Sequence, residues 1–215
     1  MGLRQVLVII ESRSASYHIF NAPAAPEPSA TAIIETGAIP VLVDCYADTW
    51  TMNVEEIEEK ITKKTKAIMV VHIYGHPVDL DPILKLSEKY GIYVIEDAAE
   101  AHGAEYKSKK CGSFGDISIL SFYANKLVTT GEGGMILTDN QEFEKKARSL
   151  INLCFKPEAR FLHTEIGHNY RLSNINAALG VAQLTQLEKF VTRKREMAQM
   201  YQEGLNDLPL QLPCE

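Results

Sequence analysis

Three apolar runs that do not alternate with polar residues constrain this chain more than anything else in it. Ile39-Pro-Val-Leu-Val-Asp44, Ala67-Ile-Met-Val-Val-His-Ile73 and Ile92-Tyr-Val-Ile95 are short and rich in β-branched residues. A strand with one wet face alternates apolar and polar side chains; a run that does not is covered on both faces, as in a parallel sheet sandwiched by helices. The stretches between them have helical spacing. Asn53 reads as an N-cap, with Glu55 and Glu56 in the first turn of a helix through Ile61. A second helix from about Asp81 to Tyr90 carries Ile83, Leu84, Leu86 and Ser87. Strand–helix–strand–helix–strand of this kind predicts the α/β class, with a mostly parallel sheet flanked by helices.

Further along, Ile117–Phe122 and Gly134–Thr138 read as two more strands, and Glu142–Leu150 as a short helix. Ser173 to Leu208 reads as one long helix or two in tandem, its apolar stripe marked by Leu184, Leu187, Phe190 and Val191 and extended by Met197, Met200 and Tyr201. The opening stretch is different. After a short apolar run ending near Ile10, Ser12 to Ala30 reads as irregular, because Pro23, Pro26 and Pro28 would break a helix or a central strand. The expected organisation is an irregular segment over 1–30, an α/β core over 31–172 and a helical stretch over 173–215.

Bulk properties exclude several function classes. A chain of 215 residues with 46% hydrophobic and 23% charged residues is ordinary for a globular protein. Its net charge of -6 gives no footprint for nucleic acid. Cys45, Cys111, Cys154 and Cys214 form no Cys-x-x-Cys pair, so zinc and redox-dithiol chemistry are not expected. Scattered single cysteines fit a reducing compartment. Val6–Ile10 is too short for a membrane span or a signal-peptide core. A cytoplasmic protein is expected.

Two positions carry candidate chemistry. Asp97 closes the strand Ile92-Tyr-Val-Ile-Glu-Asp97, and ligands in open α/β sheets bind beyond such strand ends. An ionised carboxylate there needs a cationic partner, unless it merely caps the next helix. Lys126 ends the run Leu120-Ser-Phe-Tyr-Ala-Asn-Lys126, just before Thr129-Thr-Gly-Glu-Gly-Gly134. Those glycines permit close backbone approach, but the segment has neither a P-loop's Gly-Lys-Ser/Thr nor a GxGxxG order. Each element alone is equally a solvated lysine or a turn.

The ordered set EDAAEAHG, GSFGD, SFYANK and TTGEGGM, followed by Gly167-His-Asn-Tyr-Arg-Leu-Ser173 and Asn174-Ile-Asn-Ala-Ala-Leu-Gly180, resembles the DegT-type (DegT/StrS) nucleotide-sugar aminotransferases. The likeness runs from about Thr31 to Pro213 and is strongest to the 4-keto-6-deoxyhexose aminotransferases of the perosamine-forming type. It implies the large domain of the type I pyridoxal 5′-phosphate (PLP) fold. By position, Lys126 matches the lysine that carries the cofactor covalently and acts as general acid–base. Asp97 matches the carboxylate that keeps the pyridine nitrogen protonated, so that the ring draws electrons. Ser121 matches a hydroxyl on the cofactor phosphate, Glu100 a residue near the ring hydroxyl, and Ala99 a residue packed beneath the ring. Asn169 matches an asparagine that reaches the phosphate of a neighbouring subunit, which implies a homodimer. His102 reads as structural. The implied substrates are a nucleotide-linked sugar and an amino donor, glutamate in most of the family, in the synthesis of polysaccharide and O-antigen sugars.

The resemblance also shows departures. The family's Gly-Thr phosphate turn and its cofactor-stacking aromatic have no match before Thr31, and its small C-terminal domain is essentially absent. Leu150-Ile-Asn-Leu-Cys154 departs from the usual Leu-Arg-x-His-Gly run. The expectation is therefore the core of a cofactor domain, with weak or no turnover by this chain alone; a remnant that binds PLP or partners is the competing reading. A 3-dehydratase of the same family would carry histidine where Lys126 stands. A hydrolase metal site at His72 and His76 would lack an acidic third ligand at suitable spacing.

Overall fold

A computed structural model describes residues 18–21 and 27–214. Six strands form one sheet in the order β2-β1-β3-β4-β7-β8: β1 is His18–Asn21, β2 Ile39–Leu42, β3 Thr65–Val71, β4 Tyr93–Asp97, β7 Ile117–Ser121 and β8 Gly134–Leu137. All neighbours are parallel except β7 and β8. A separate two-stranded hairpin, β5 (Glu105–Tyr106) with β6 (Lys109–Lys110), fills the connection between β4 and β7. The α/β, mostly parallel architecture matches the pattern of non-alternating runs.

The helices are α1 (Glu27–Glu35), α2 (Ile57–Lys60), α3 (Leu80–Tyr90), α4 (Gln141–Ile151), α5 (Asn174–Leu184) and α6 (Leu187–Leu205). Because side chains alternate along a strand, odd and even positions of β3 and β4 build two different cores. Ala67, Met69 and Ile95 pack with Ile33 of α1. Ile68, Val70 and Val94 pack with Ile57 of α2 and with Leu80, Ile83 and Leu86 of α3. Both faces are thus dry, which is why these strands do not alternate in sequence. The stretch from Ser173 onward forms two helices in tandem, with Ser173 capping α5 by accepting the Asn176 N–H.

Two expectations need correcting. The stretch Ser12–Ala30 is not irregular throughout: residues 18–21 are a strand between β2 and β3, and a helix begins at Glu27. Pro28 falls in the first turn of α1, where a missing N–H costs no intrahelical hydrogen bond. The apolar run Val6–Ile10 lies outside the described residues. The run Ile39–Asp44 is not a fully buried strand either. β2 is the sheet edge, with Ile39 and Leu42 44% and 51% exposed, and an edge is where Pro40 is tolerated.

Candidate active site

Two neighbouring strands bring most of the predicted residues to one rim. Asp97 of β4 pairs in register with Ile119 of β7, which runs two residues further to Ser121, so both strands end on the carboxyl edge of the parallel sheet. Glu96 and Asp97 leave β4 on opposite faces.

Asp97 turns toward α1 and is 5% exposed. Its Oδ2 accepts the Ser29 hydroxyl at 2.6 Å, and its Oδ1 accepts the Ala99 N–H at 3.1 Å. Among the described residues no cation pairs with it. A buried carboxylate met only by neutral donors suits a protonated ring nitrogen as its partner.

Lys126 lies in the loop after β7, its Nζ 2.9 Å from Glu100 Oε1, with the two side chains 17% and 24% exposed. The other Glu100 oxygen accepts the Tyr74 N–H at 2.9 Å. Burial alone would raise the Glu100 pKa; Lys126 and the Tyr74 N–H outweigh it and hold the carboxyl below its usual range. Tyr74 makes this bond from a left-handed backbone conformation, φ 52°. Ser121 is half-buried and its Oγ accepts the Tyr123 N–H at 3.3 Å, which leaves the hydroxyl hydrogen to donate. Ala99 is half-buried between Asp97 and Glu100.

Asn169 sits elsewhere, in the exposed segment before α5, where its Oδ1 accepts from Arg171. The fold thus groups Asp97, Ala99, Glu100, Ser121 and Lys126 on one rim and gives Asn169 a separate setting.

Sequence reasoning missed Ser29, Tyr74 and Glu96. Glu96 turns toward α3 and is fully buried, accepting backbone N–H groups from Gly112 (2.7 Å), Phe114 and Gly115 (both 2.6 Å). His72 Nε2 lies 3.1 Å away on the same carboxylate. His72 Nδ1 accepts the Val78 N–H at 3.2 Å, so the ring hydrogen of the neutral imidazole is on Nε2 and is donated to Glu96. Burial pushes the Glu96 pKa up, but these four donors more than offset it and leave the group below its usual value. Only glycine fits at 115, where a Cβ would stand 2.7 Å from the Val94 carbonyl oxygen. The Glu-Asp dipeptide and the GSFG tetrapeptide were visible signals, but their union needed the fold. His72 is committed to this network, and no cluster of three or more metal-ligating side chains occurs among the described residues.

His102 is 6% exposed, and neither ring nitrogen has a hydrogen-bond partner among the described residues. Burial lowers its pKa, and the nearby Lys126 charge lowers it further. Among the described residues no helix is long and apolar enough to cross a membrane.

Residues 27–215 match the DegT/DnrJ/EryC1/StrS aminotransferase family. GDP-perosamine synthase of Escherichia coli O157:H7 is 48% identical over 180 residues, 84% of this chain and 50% of that protein. A putative pyridoxal phosphate-dependent aminotransferase of Bacillus subtilis, EpsN, is 39% identical over 186 residues, 84% of this chain and 48% of that one. Among solved structures, Helicobacter pylori PseC, an aminotransferase involved in the biosynthesis of pseudoaminic acid, superposes with a TM-score of 0.86 at 30% identity, over 92% of this chain and 54% of its own. The chain spans about half the length of these relatives. With Lys126, Asp97 and Glu100 standing on one rim inside the matched residues, the chain belongs to the DegT/DnrJ/EryC1/StrS aminotransferase family.

Proposed function

We propose that this chain is the cofactor-binding part of a PLP-dependent aminotransferase that moves an amino group from glutamate to the 4-keto carbon of a nucleotide-linked 6-deoxy sugar. The observation that carries this reading is Lys126, held on Glu100 beside a buried Asp97 that no described cation pairs. The likeness to GDP-perosamine synthase supports a GDP-linked sugar. Residues 31–172, together with β1 and the start of α1 upstream of them, would form the cofactor core and 173–215 a helical extension, in a cytoplasmic homodimer serving polysaccharide or O-antigen synthesis.

The residues present fit PLP, which supplies an electron-withdrawing ring when bound. Asp97 would hold the proton on the ring nitrogen, with Ser29 keeping its carboxylate oriented. Lys126 would hold the cofactor covalently through Nζ and, once released, move the proton from the donor's Cα. Glu100 would face the ring hydroxyl, and Ala99 would pack beneath the ring. Ser121 would donate to the phosphate, joined by Asn169 from a second copy.

The test is chemical trapping. Protein incubated with PLP and reduced with borohydride should carry the pyridoxyl group on Lys126, as read by peptide mass spectrometry, and Lys126→Ala should carry none there. Glutamate added before reduction should abolish the visible absorption band and the trapping together, and a GDP-linked 4-keto-6-deoxy sugar should restore both. Folded protein that traps no PLP at Lys126 defeats the reading.

A further inference from the structure

Two aromatic residues meet beside the rim in backbone conformations that side chains rarely adopt. Trp50 has φ 59° and Tyr74 φ 52°, and residues other than glycine hold a left-handed backbone only where the surroundings impose it. Both lie in tight turns. The Trp50 N–H donates to the Tyr46 carbonyl at 3.0 Å. Around Tyr74, the Gly75 N–H donates to the His72 carbonyl at 3.1 Å and the His76 N–H to the Ile73 carbonyl at 2.9 Å. This second turn is pressed onto Glu100: a Cβ at Gly75 would stand 3.2 Å from the Glu100 carbonyl oxygen. The two rings meet edge to face, their centroids 5.9 Å apart and their planes at 76°.

The pair is close to the reacting lysine. Only the Glu100 carboxylate separates the Tyr74 N–H from Lys126 Nζ, each lying 2.9 Å from one of its oxygens. The Tyr74 ring is nevertheless 75% exposed. An aromatic ring fixed by a strained turn and left uncovered beside a site offers apolar surface to a ligand.

Charge decides which part of the substrate that is. The ionised Glu100 repels anions from the Tyr74 side, which disfavours the carboxylates of glutamate and the diphosphate of a nucleotide sugar. The base is uncharged, but a ribose and two phosphates separate it from the sugar carbon that must reach Lys126. The hexose is uncharged, contains that carbon, and presents C–H groups that pack on an aromatic face.

We propose that Tyr74, with Trp50 packed against it, is the specificity-determining wall on which the hexose of the nucleotide sugar rests. This deepens the aminotransferase reading and rests on it. Tyr74 then serves twice: its N–H holds Glu100, and its ring receives the sugar.

The experiment uses the full chain loaded with PLP. Trp50 is the only tryptophan, so its emission reports from the wall itself. GDP-mannose, as a GDP-linked hexose, and GDP are titrated separately, and calorimetry gives each affinity. GDP-mannose should change the Trp50 emission saturably and bind about tenfold more tightly than GDP, as one aromatic contact implies. Tyr74→Phe keeps the ring and should keep that preference. Tyr74→Gly removes the ring, takes φ 52° without strain and retains the N–H for Glu100; its preference should fall to roughly twofold or less. A wild type that responds alike to both ligands, or to neither, overturns the proposal. So does a Tyr74→Gly protein that keeps the full preference. Wild-type protein that traps no PLP at Lys126 on borohydride reduction defeats the aminotransferase reading instead, so the two failures are distinct.

Discussion

His72 and Glu96 form a fully buried pair in which the imidazole donates to a carboxylate already held by three backbone N–H groups. This pair ties the end of β3 to β4 and to the 112–115 turn, directly beneath the rim that carries Lys126. Removing the carboxylate leaves all four donors without a partner in a dry interior. Glu96→Ala should destabilise the fold by about 3–5 kcal/mol, the range for breaking one side of a buried charged network. Urea unfolding followed by circular dichroism measures it, and a loss below about 1 kcal/mol would contradict this role.

His102 makes a prediction about pH. Its folded pKa is lowered, by burial first and by Lys126 second, from the ordinary histidine value of 6.5. A histidine kept neutral in the fold but free to protonate when unfolded gives the unfolded chain the larger proton uptake, so stability falls as pH drops below about 6.5. The loss ends once pH passes below the folded pKa. His102→Leu should flatten the dependence of Tm on pH just below about 6.5, where the wild type loses Tm.

Thiol reactivity should divide the cysteines. Burial, with Glu96 nearby, pushes the Cys111 thiol up to about 12, and the thiolate is the reactive form. Cys154 is buried as well, whereas Cys214 is exposed. In native protein at pH 8, a disulfide reagent should label Cys214 promptly and spare Cys111 and Cys154 until denaturant is added. Mass spectrometry of the labelled peptides reads the order.

The partner of the proposed ring nitrogen can be tested without turnover. Asp97→Asn preserves an acceptor for the Ser29 hydroxyl but removes the charge. It should weaken PLP binding about tenfold or more, as the loss of one charge-assisted contact implies, while leaving Tm nearly unchanged. Equilibrium fluorescence titration with PLP measures the affinity. Equal affinity in the variant would remove Asp97 from the cofactor site.

Much of this architecture was legible in the sequence because burial leaves a plain mark. Residues 67–71 and 94–95 are apolar without alternation since α1 covers one face and α2 and α3 the other. Positions whose role depends on distant segments left no such mark. β1 is four residues long and precedes a proline-dense stretch, so only its neighbours reveal it. β5 and β6 are two residues each, too short for any period, and turn through Lys107 and Ser108 at positive φ where glycine or asparagine would have signalled a hairpin. Asp97 and Lys126 stood out through the order of the surrounding motifs. Their contacts with Ser29 and Glu100 did not, because 68 and 26 residues of chain separate the partners.

The placement of β1 between β2 and β3 has a kinetic corollary. Neither of its edges can be satisfied locally: one waits for Ile39–Leu42 and the other for Thr65–Val71. On a ribosome the first of these strands to be made is therefore secured on both sides only after some fifty further residues have emerged. Parallel pairing with such separations is slow, since the closure entropy of each intervening loop must be met before its contacts form. A nascent chain halted before Val71 would hold an unfinished edge available to other chains.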